Sequence, residues 1–157
     1  MPKVSIIIGS KSDLPIADKA MVILNELSIS FDINVASAHR TPKRVEELAT
    51  TSDAEVFIAI AGLSAALPGV VASFTIKPVI GVPVSGKLNF DSLLSVVQMP
   101  GGIPVAAVGL DRGDNAALLA AEILALNDEG LADALKVHRA KQAEKVLKDS
   151  DEVTDDV

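Results

Sequence analysis

The sequence predicts a doubly wound α/β domain built on a parallel sheet, and three observations carry that expectation. Five short runs, Val4–Gly9, Phe31–Ser37, Val56–Ala61, Val79–Val84 and Val105–Leu110, are almost continuously apolar, as strands covered on both faces must be. Helix-like segments separate them, so the order is βαβα with right-handed crossovers. The chain has 157 residues and is 49% hydrophobic, enough for one well-buried core and too short for two ordinary domains.

The elements follow in order. The first strand runs into Gly9-Ser10-Lys11-Ser12-Asp13, a glycine turn ahead of a helix over Leu14–Leu27. After the second strand, Thr41-Pro42 supplies a cap and a proline at the first helical position, opening a helix over Pro42–Thr51. From Phe57 to Ile76 there is no charge for twenty residues, the length of a membrane helix. Gly62, Ser64, Pro68, Gly69, Ser73 and Thr75 interrupt it, and it reads instead as a buried strand, a glycine turn and a small-residue helix over Ser64–Phe74. A second charge-free run, Ser92–Leu110, divides at Pro100-Gly101-Gly102 between a helix over Asp91–Val97 and the fifth strand. Helices over Asn115–Leu126 and Glu129–Leu147 complete the pattern. The expected architecture is three layers, flavodoxin-like or Rossmann-like, with a C-terminal helix extending from the core. Residues 1–148 form the single domain, and 149–157 an acidic, disordered tail.

Composition excludes several functions. With no cysteine, disulfides, thiolate chemistry and Cys-type zinc or iron–sulfur sites are ruled out. Asp149, Asp151, Glu152, Asp155 and Asp156 supply five of the seven net negative charges, so the acidity belongs mostly to the tail. Few aromatics and no basic stripe leave nucleic-acid binding without support. The N-terminus lacks a secretory pattern, and a cytoplasmic protein is expected.

Few residues can carry chemistry. His39, one of two histidines, stands with Arg40 in Ser37-Ala38-His39-Arg40-Thr41-Pro42, where a strand gives way to a helix. In open α/β sheets that carboxyl edge binds ligands. Imidazole exchanges protons near neutral pH, and guanidinium suits phosphate or carboxylate. The alternative is a turn histidine bonded to backbone and an arginine in a surface ion pair. Gly9-Ser10-Lys11-Ser12-Asp13 reads as a phosphate or ribose cradle, yet lacks the glycines of either nucleotide-binding fingerprint, and Ser12 or Asp13 acting only as a helix cap fits as well. Small residues over Gly62–Gly69 leave room for a flat ligand, or for tight packing alone, and Gln98-Met99-Pro100 is a candidate wall. His138, beside Arg139 in the polar last helix, is expected to be a solvated surface residue. No His/Asp/Glu cluster has metal-ligand spacing, and no serine sits in a nucleophile elbow.

Taken together, Gly9-Ser10-Lys11-Ser12-Asp13, Ser37-Ala38-His39-Arg40-Thr41-Pro42, Ala61-Gly62 with Leu67-Pro68-Gly69, Pro78–Val84 and Asp91-Ser92-Leu93-Leu94-Ser95-Val96-Val97-Gln98-Met99-Pro100 resemble the PurE family from residue 4 to about residue 147. The resemblance implies de novo purine biosynthesis: conversion of N5-carboxyaminoimidazole ribonucleotide to 4-carboxy-5-aminoimidazole ribonucleotide, with neither metal nor organic cofactor. It implies His39 as general acid and base. Ser10, Asp13 and Arg40 would hold the ribose phosphate, Ser12 and Ser37 would lie nearby, and Gly62 and Leu67 would belong to the substrate pocket. It also implies a homo-octamer with sites at subunit contacts, which would cover the charge-free helices. Two departures stand out: Ala66 occupies a place where many bacterial relatives have histidine, and Gly109–Asn115 replaces their Gly-Lys-Ala-Gly type of loop, an archaeal-like variation. Two alternatives stay open. One is an aminoimidazole ribonucleotide carboxylase using free carbon dioxide, the family's other class, to which Ser64 after Ala61-Gly62 bears a faint likeness while Leu67-Pro68-Gly69 and Gln98-Met99-Pro100 favour the mutase; the other is a non-catalytic nucleotide-binding module. Scarce aromatics make a flavin role less attractive.

Overall fold

The computed structural model describes residues 1–155. Five parallel strands, β1 (Val4–Ile8), β2 (Phe31–Val35), β3 (Val56–Ala61), β4 (Val79–Pro83) and β5 (Ala106–Ala107), form one sheet in the order β2-β1-β3-β4-β5. Six helices accompany them: α1 (Leu14–Glu26), α2 (Pro42–Thr51), α3 (Leu67–Ser73), α4 (Asn89–Val97), α5 (Gly113–Ala125) and α6 (Glu129–Asp155). The three layers expected from the sequence are present, and the strand order is the flavodoxin-like one.

Alternation along the central strands sorts the side chains. Val4, Ile6 and Ile8 of β1, Val56, Ile58 and Ile60 of β3, and Ile80 and Val82 of β4 face α1, α5 and α6. Ile7, Phe57, Ala59 and Val79 face the other way, onto α2, α3 and α4. Each fully buried valine, isoleucine or phenylalanine among them contributes about 1.5–3 kcal/mol of transfer free energy, so the period-two pattern stabilises both interfaces.

The edges depart from expectation. β2 is only partly buried, with Val35 59% exposed, and β5 is two residues long and exposed. Both are edge strands with one neighbour in the sheet, so an apolar run alone did not distinguish an edge from a centre. α3 begins at Leu67 rather than Ser64, because Ser64 takes a left-handed backbone, φ 48°, that breaks helical continuity.

α6 is longer than the periodicity indicated. Its 27 residues span roughly 40 Å at 1.5 Å per residue and take in most of the acidic segment; residues 156 and 157 lie outside the described residues. Only its first half is docked, through Leu131, Leu135 and His138. His138 is not a solvated surface residue: it is 7% exposed. Its Nδ1 lies 3.1 Å from the Glu26 carboxylate on α1, and its Nε2 lies 2.8 Å from the Gln142 amide. The Lys-rich neighbourhood made it read as polar, whereas its face of the helix turns inward.

α1 and α5 approach closely at Gly113, where a Cβ would stand 2.0 Å from the carbonyl oxygen of Ile16. That oxygen is backbone and cannot rotate away. Gly113→Ala is therefore expected to cost about 3 kcal/mol, read as a lower urea midpoint. His138→Ala removes a packed ring that bridges two helices and is expected to cost about 2 kcal/mol by the same measurement.

Candidate active site

The turns after β1, β2 and β3 surround a cavity of about 430 Å3, a size suited to a small organic ligand. It lies at the carboxyl ends of the strands, where the order reverses about β1. The helix after β1 packs on one face and the helix after β2 on the other, so the connections diverge and leave a crevice.

The first turn contributes Gly9, Ser10, Ser12 and Asp13. Lys11–Asp13 is a single 3-10 turn leading into α1. Asp13 is buried, 7% exposed, and its Oδ2 accepts the Ser10 N–H at 2.9 Å. The Ser10 and Ser12 hydroxyls are 2.5 Å apart. Asp13 stands at the cap position of α1, yet its side chain makes no capping bond there. Its carboxylate closes the turn instead and lines the cavity. Burial raises its pKa above the usual 3.8, against the lowering pull of the Ser10 N–H, the Ser10 hydroxyl and the nearby Arg40 charge.

Ser37, Ala38, His39 and Arg40 come from the second turn. The Ser37 N–H donates to Thr41 Oγ1 at 2.9 Å, and that hydroxyl donates back to the Ser37 carbonyl at 3.2 Å. Thr41 stands at the N-cap of α2 without capping it through its side chain; its hydroxyl clasps the turn that carries His39. Ser37 Oγ accepts from the Arg40 N–H at 3.2 Å and from Arg40 Nε at 3.3 Å, and Arg40 Nη2 donates to the Gly9 carbonyl at 3.2 Å. These bonds to uncharged oxygens aim the guanidinium across the first two turns without neutralising it, so its charge is available to an anion. Among the described residues Arg40 makes no ion pair, so the ion-pair alternative finds no partner there. A neighbouring hollow of about 350 Å3 shares Gly9, Ser10, Ser37 and Arg40 and adds Lys11, extending the positive lip. His39 is exposed to the cavity, in reach of a ligand.

The third turn supplies Ala61, Gly62, Leu63, Ser64, Ala66 and Leu67. Backbone N–H groups of Gly62, Leu63 and Ala65 find no acceptor among the described residues. The Ser64 N–H donates to the Asp91 carboxylate of α4 at 2.6 Å. Sequence reasoning placed Asp91 in a motif without assigning it a contact; 27 residues separate the partners, and no local pattern signals such a bond.

Every candidate residue, His39, Ser10, Ser12, Asp13, Ser37, Arg40, Gly62 and Leu67, lines this one cavity. Gln98-Met99-Pro100 does not. The Met99 side chain packs instead on Gly69, where a Cβ would stand 3.0 Å from its Cε. Among the described residues, no three His, Asp or Glu side chains are grouped to hold a metal ion. A larger hollow of about 900 Å3 at the amino edge of β4 has Lys77 as its one ionisable residue, and that ammonium donates to the Ser52 carbonyl at 2.7 Å. It offers neither a carboxylate nor an imidazole.

A family model described as AIR carboxylase matches residues 3–145. An N5-carboxyaminoimidazole ribonucleotide mutase of Methanocaldococcus jannaschii is 60% identical, with 96% of each chain covered. The mutase of Thermotoga maritima is 49% identical over 94% of this chain and 89% of that protein. The crystal structure of Treponema denticola PurE superposes with a TM-score of 0.87 at 34% identity, covering 97% of this chain and 98% of that one. With the matched model spanning the strands, the three turns and the docked part of α6, the chain belongs to the AIR carboxylase family.

Proposed function

We propose that the chain is an N5-carboxyaminoimidazole ribonucleotide mutase of de novo purine biosynthesis. The observation that carries this reading is the convergence of His39, Arg40, Asp13 and Ser10 on one cavity at the strand-order reversal, in a chain whose relatives bear that name. Arg40 and the Ser10 and Ser12 hydroxyls take the phosphate, and Asp13 accepts from ribose hydroxyls. The flat base then reaches the Gly62–Leu67 turn and His39.

In the reaction, the bond between the exocyclic nitrogen and its carboxylate carbon breaks, and the electron pair returns to nitrogen. His39 delivers a proton to that nitrogen, leaving aminoimidazole ribonucleotide and carbon dioxide in the cavity. The ring carbon attacks the carbon dioxide, and His39 takes back the ring proton to restore aromaticity. Atoms and charge balance over the two steps, with one proton carried by one imidazole. The N–H groups of Gly62, Leu63 and Ala65, which have no acceptor among the described residues, are suited to orienting the carbon dioxide oxygens. Ala66 supplies no second imidazole, so this reading gives all proton transfer to His39.

Assembly belongs to the same proposal. Phe90, Leu94 and Val97 form a stripe on α4, 75%, 51% and 48% exposed in the single chain, with Leu88 just ahead of it at 77%. The stripe adjoins the cavity through the Asp91–Ser64 bond. Packing by further copies into a homo-octamer would cover it and place sites at subunit contacts. No helix among the described residues is long and apolar enough to cross a membrane, and a cytoplasmic location fits a purine-pathway enzyme.

Wild type is expected to convert N5-carboxyaminoimidazole ribonucleotide without ATP or added metal, and His39→Asn to lose at least about a thousandfold in kcat, in line with removal of the group that carries the proton in this reading. Product absorbance, with aminoimidazole ribonucleotide and bicarbonate supplied in a separate reaction, decides between mutase and carboxylase. A folded wild type that binds the ribonucleotide without turnover would leave a binding module. Asp13 yields a second expectation. Its folded-state pKa is raised, so the unfolded chain loses this proton first, and the contribution of the group to stability is complete below 3.8 and declines as pH rises through the folded value. Asp13→Asn is therefore expected to gain stability relative to wild type as pH rises through that window, in urea titrations, while binding ribonucleotide more weakly.

A further inference from the structure

We propose that Asp91 is a positioning residue for this reaction, holding the turn after β3 in the shape that retains the released carbon dioxide. The inference rests on the mutase reading and deepens it. Asp91 does not line the cavity; its carboxylate reaches the turn from behind and accepts the Ser64 N–H at 2.6 Å. Ser64 has φ 48°, a backbone conformation that a residue with a Cβ adopts only when something holds it there. On one side of it lie Gly62 and Leu63, and on the other Ala65 and Ala66. Within the turn the Ser64 carbonyl accepts the Ala66 N–H; the bond to Asp91 ties this pivot to α4, and with it the segment whose N–H groups at Gly62, Leu63 and Ala65 have no acceptor among the described residues.

The anchor is itself held firmly. In the same region of α4, the Ser92 hydroxyl donates to the Val84 carbonyl at 2.8 Å, and the Asn89 side-chain oxygen accepts the Gly86 N–H at 3.0 Å. The end of β4, the start of α4 and the turn after β3 are therefore tied together. Carbon dioxide is small and carries no net charge, so it cannot be held by an ion pair as the phosphate can. Its retention depends on the fit of the walls and the direction of nearby backbone dipoles. A turn released at Ser64 would lose both, while the phosphate and ribose contacts of the first two turns would persist.

The test uses the full chain with N5-carboxyaminoimidazole ribonucleotide and follows, in one reaction, the carboxylated product and free aminoimidazole ribonucleotide, corrected for loss of the carboxylate without enzyme. Asp91→Ala removes the acceptor; Asp91→Glu keeps the charge and the helix but moves the acceptor by one methylene, and serves if the alanine variant does not fold. Both are expected to keep KM within about threefold of wild type, to lower kcat, and to raise the share of turnovers ending in free aminoimidazole ribonucleotide by about tenfold or more. Asp91→Asn retains an oxygen acceptor for the Ser64 N–H and is expected to restore both quantities to within about threefold of wild type. Normal product partition in folded Asp91→Ala or Asp91→Glu overturns the proposal while leaving the mutase reading in place. So does a loss that Asp91→Asn fails to restore and that follows a lowered melting temperature. Absence of turnover in wild type removes the mutase reading itself, and this inference with it.

Discussion

The site depends on a topological constraint. Parallel strands joined by right-handed crossovers must send their helices to opposite faces when the chain reverses direction across the sheet. Here α1 leaves β1 on one face and α2 returns from β2 on the other, so no helix closes the sheet at β1 and β3. Three turns are left around one opening. Buried aliphatics on both faces of β1, β3 and β4 hold the turn origins in place, and the close approach of α5 to α1 at Gly113 fixes the layer behind them.

On that frame, short polar bonds set the details of each turn. Asp13 closes the first through the Ser10 N–H, Thr41 clasps the second through Ser37, and Asp91 steadies the third through Ser64. In each, a side chain bonds backbone and substitutes for secondary structure where the chain has none. Asp13 and Thr41 do not cap α1 and α2 through their side chains; Asp13 forms a capping box with Ser10 at the 3-10 turn and Thr41 closes its own turn, which directs their hydrogen-bonding capacity into the functional edge. Arg40 spans the first two turns, bonded among the described residues to neutral oxygens, and so keeps a charge for an incoming anion.

Part of the apolar surface that the single chain leaves open lies beside this edge: the α4 stripe and Leu63 on the cavity rim are exposed, and apolar surface gathered in this way marks an interaction site. Proposed assembly and proposed chemistry thus meet at α4, whose outer face would receive a neighbouring copy while Asp91 touches the turn of the cavity.

Much of this was legible in the residues. Apolar runs with turn signals between them located β1, β3, β4, α1 and α2 closely, since period and punctuation are local properties. The residues around His39 and Asp13 declared the site because few polar groups occur at strand ends in so apolar a chain. Other features depended on partners distant in sequence. β2 and β5 are edges because of strand order; His138 is buried because Glu26 on α1 faces it; Asp91 acquires its contact from a turn 27 residues earlier. By itself the sequence determined the strands, the turns and the cluster of chemistry-bearing side chains, all of which follow from local pattern. Only the tertiary structure decided which faces are buried and which carboxylates hold which turns, because those depend on contacts between segments whose spacing in the chain carries no trace of their meeting.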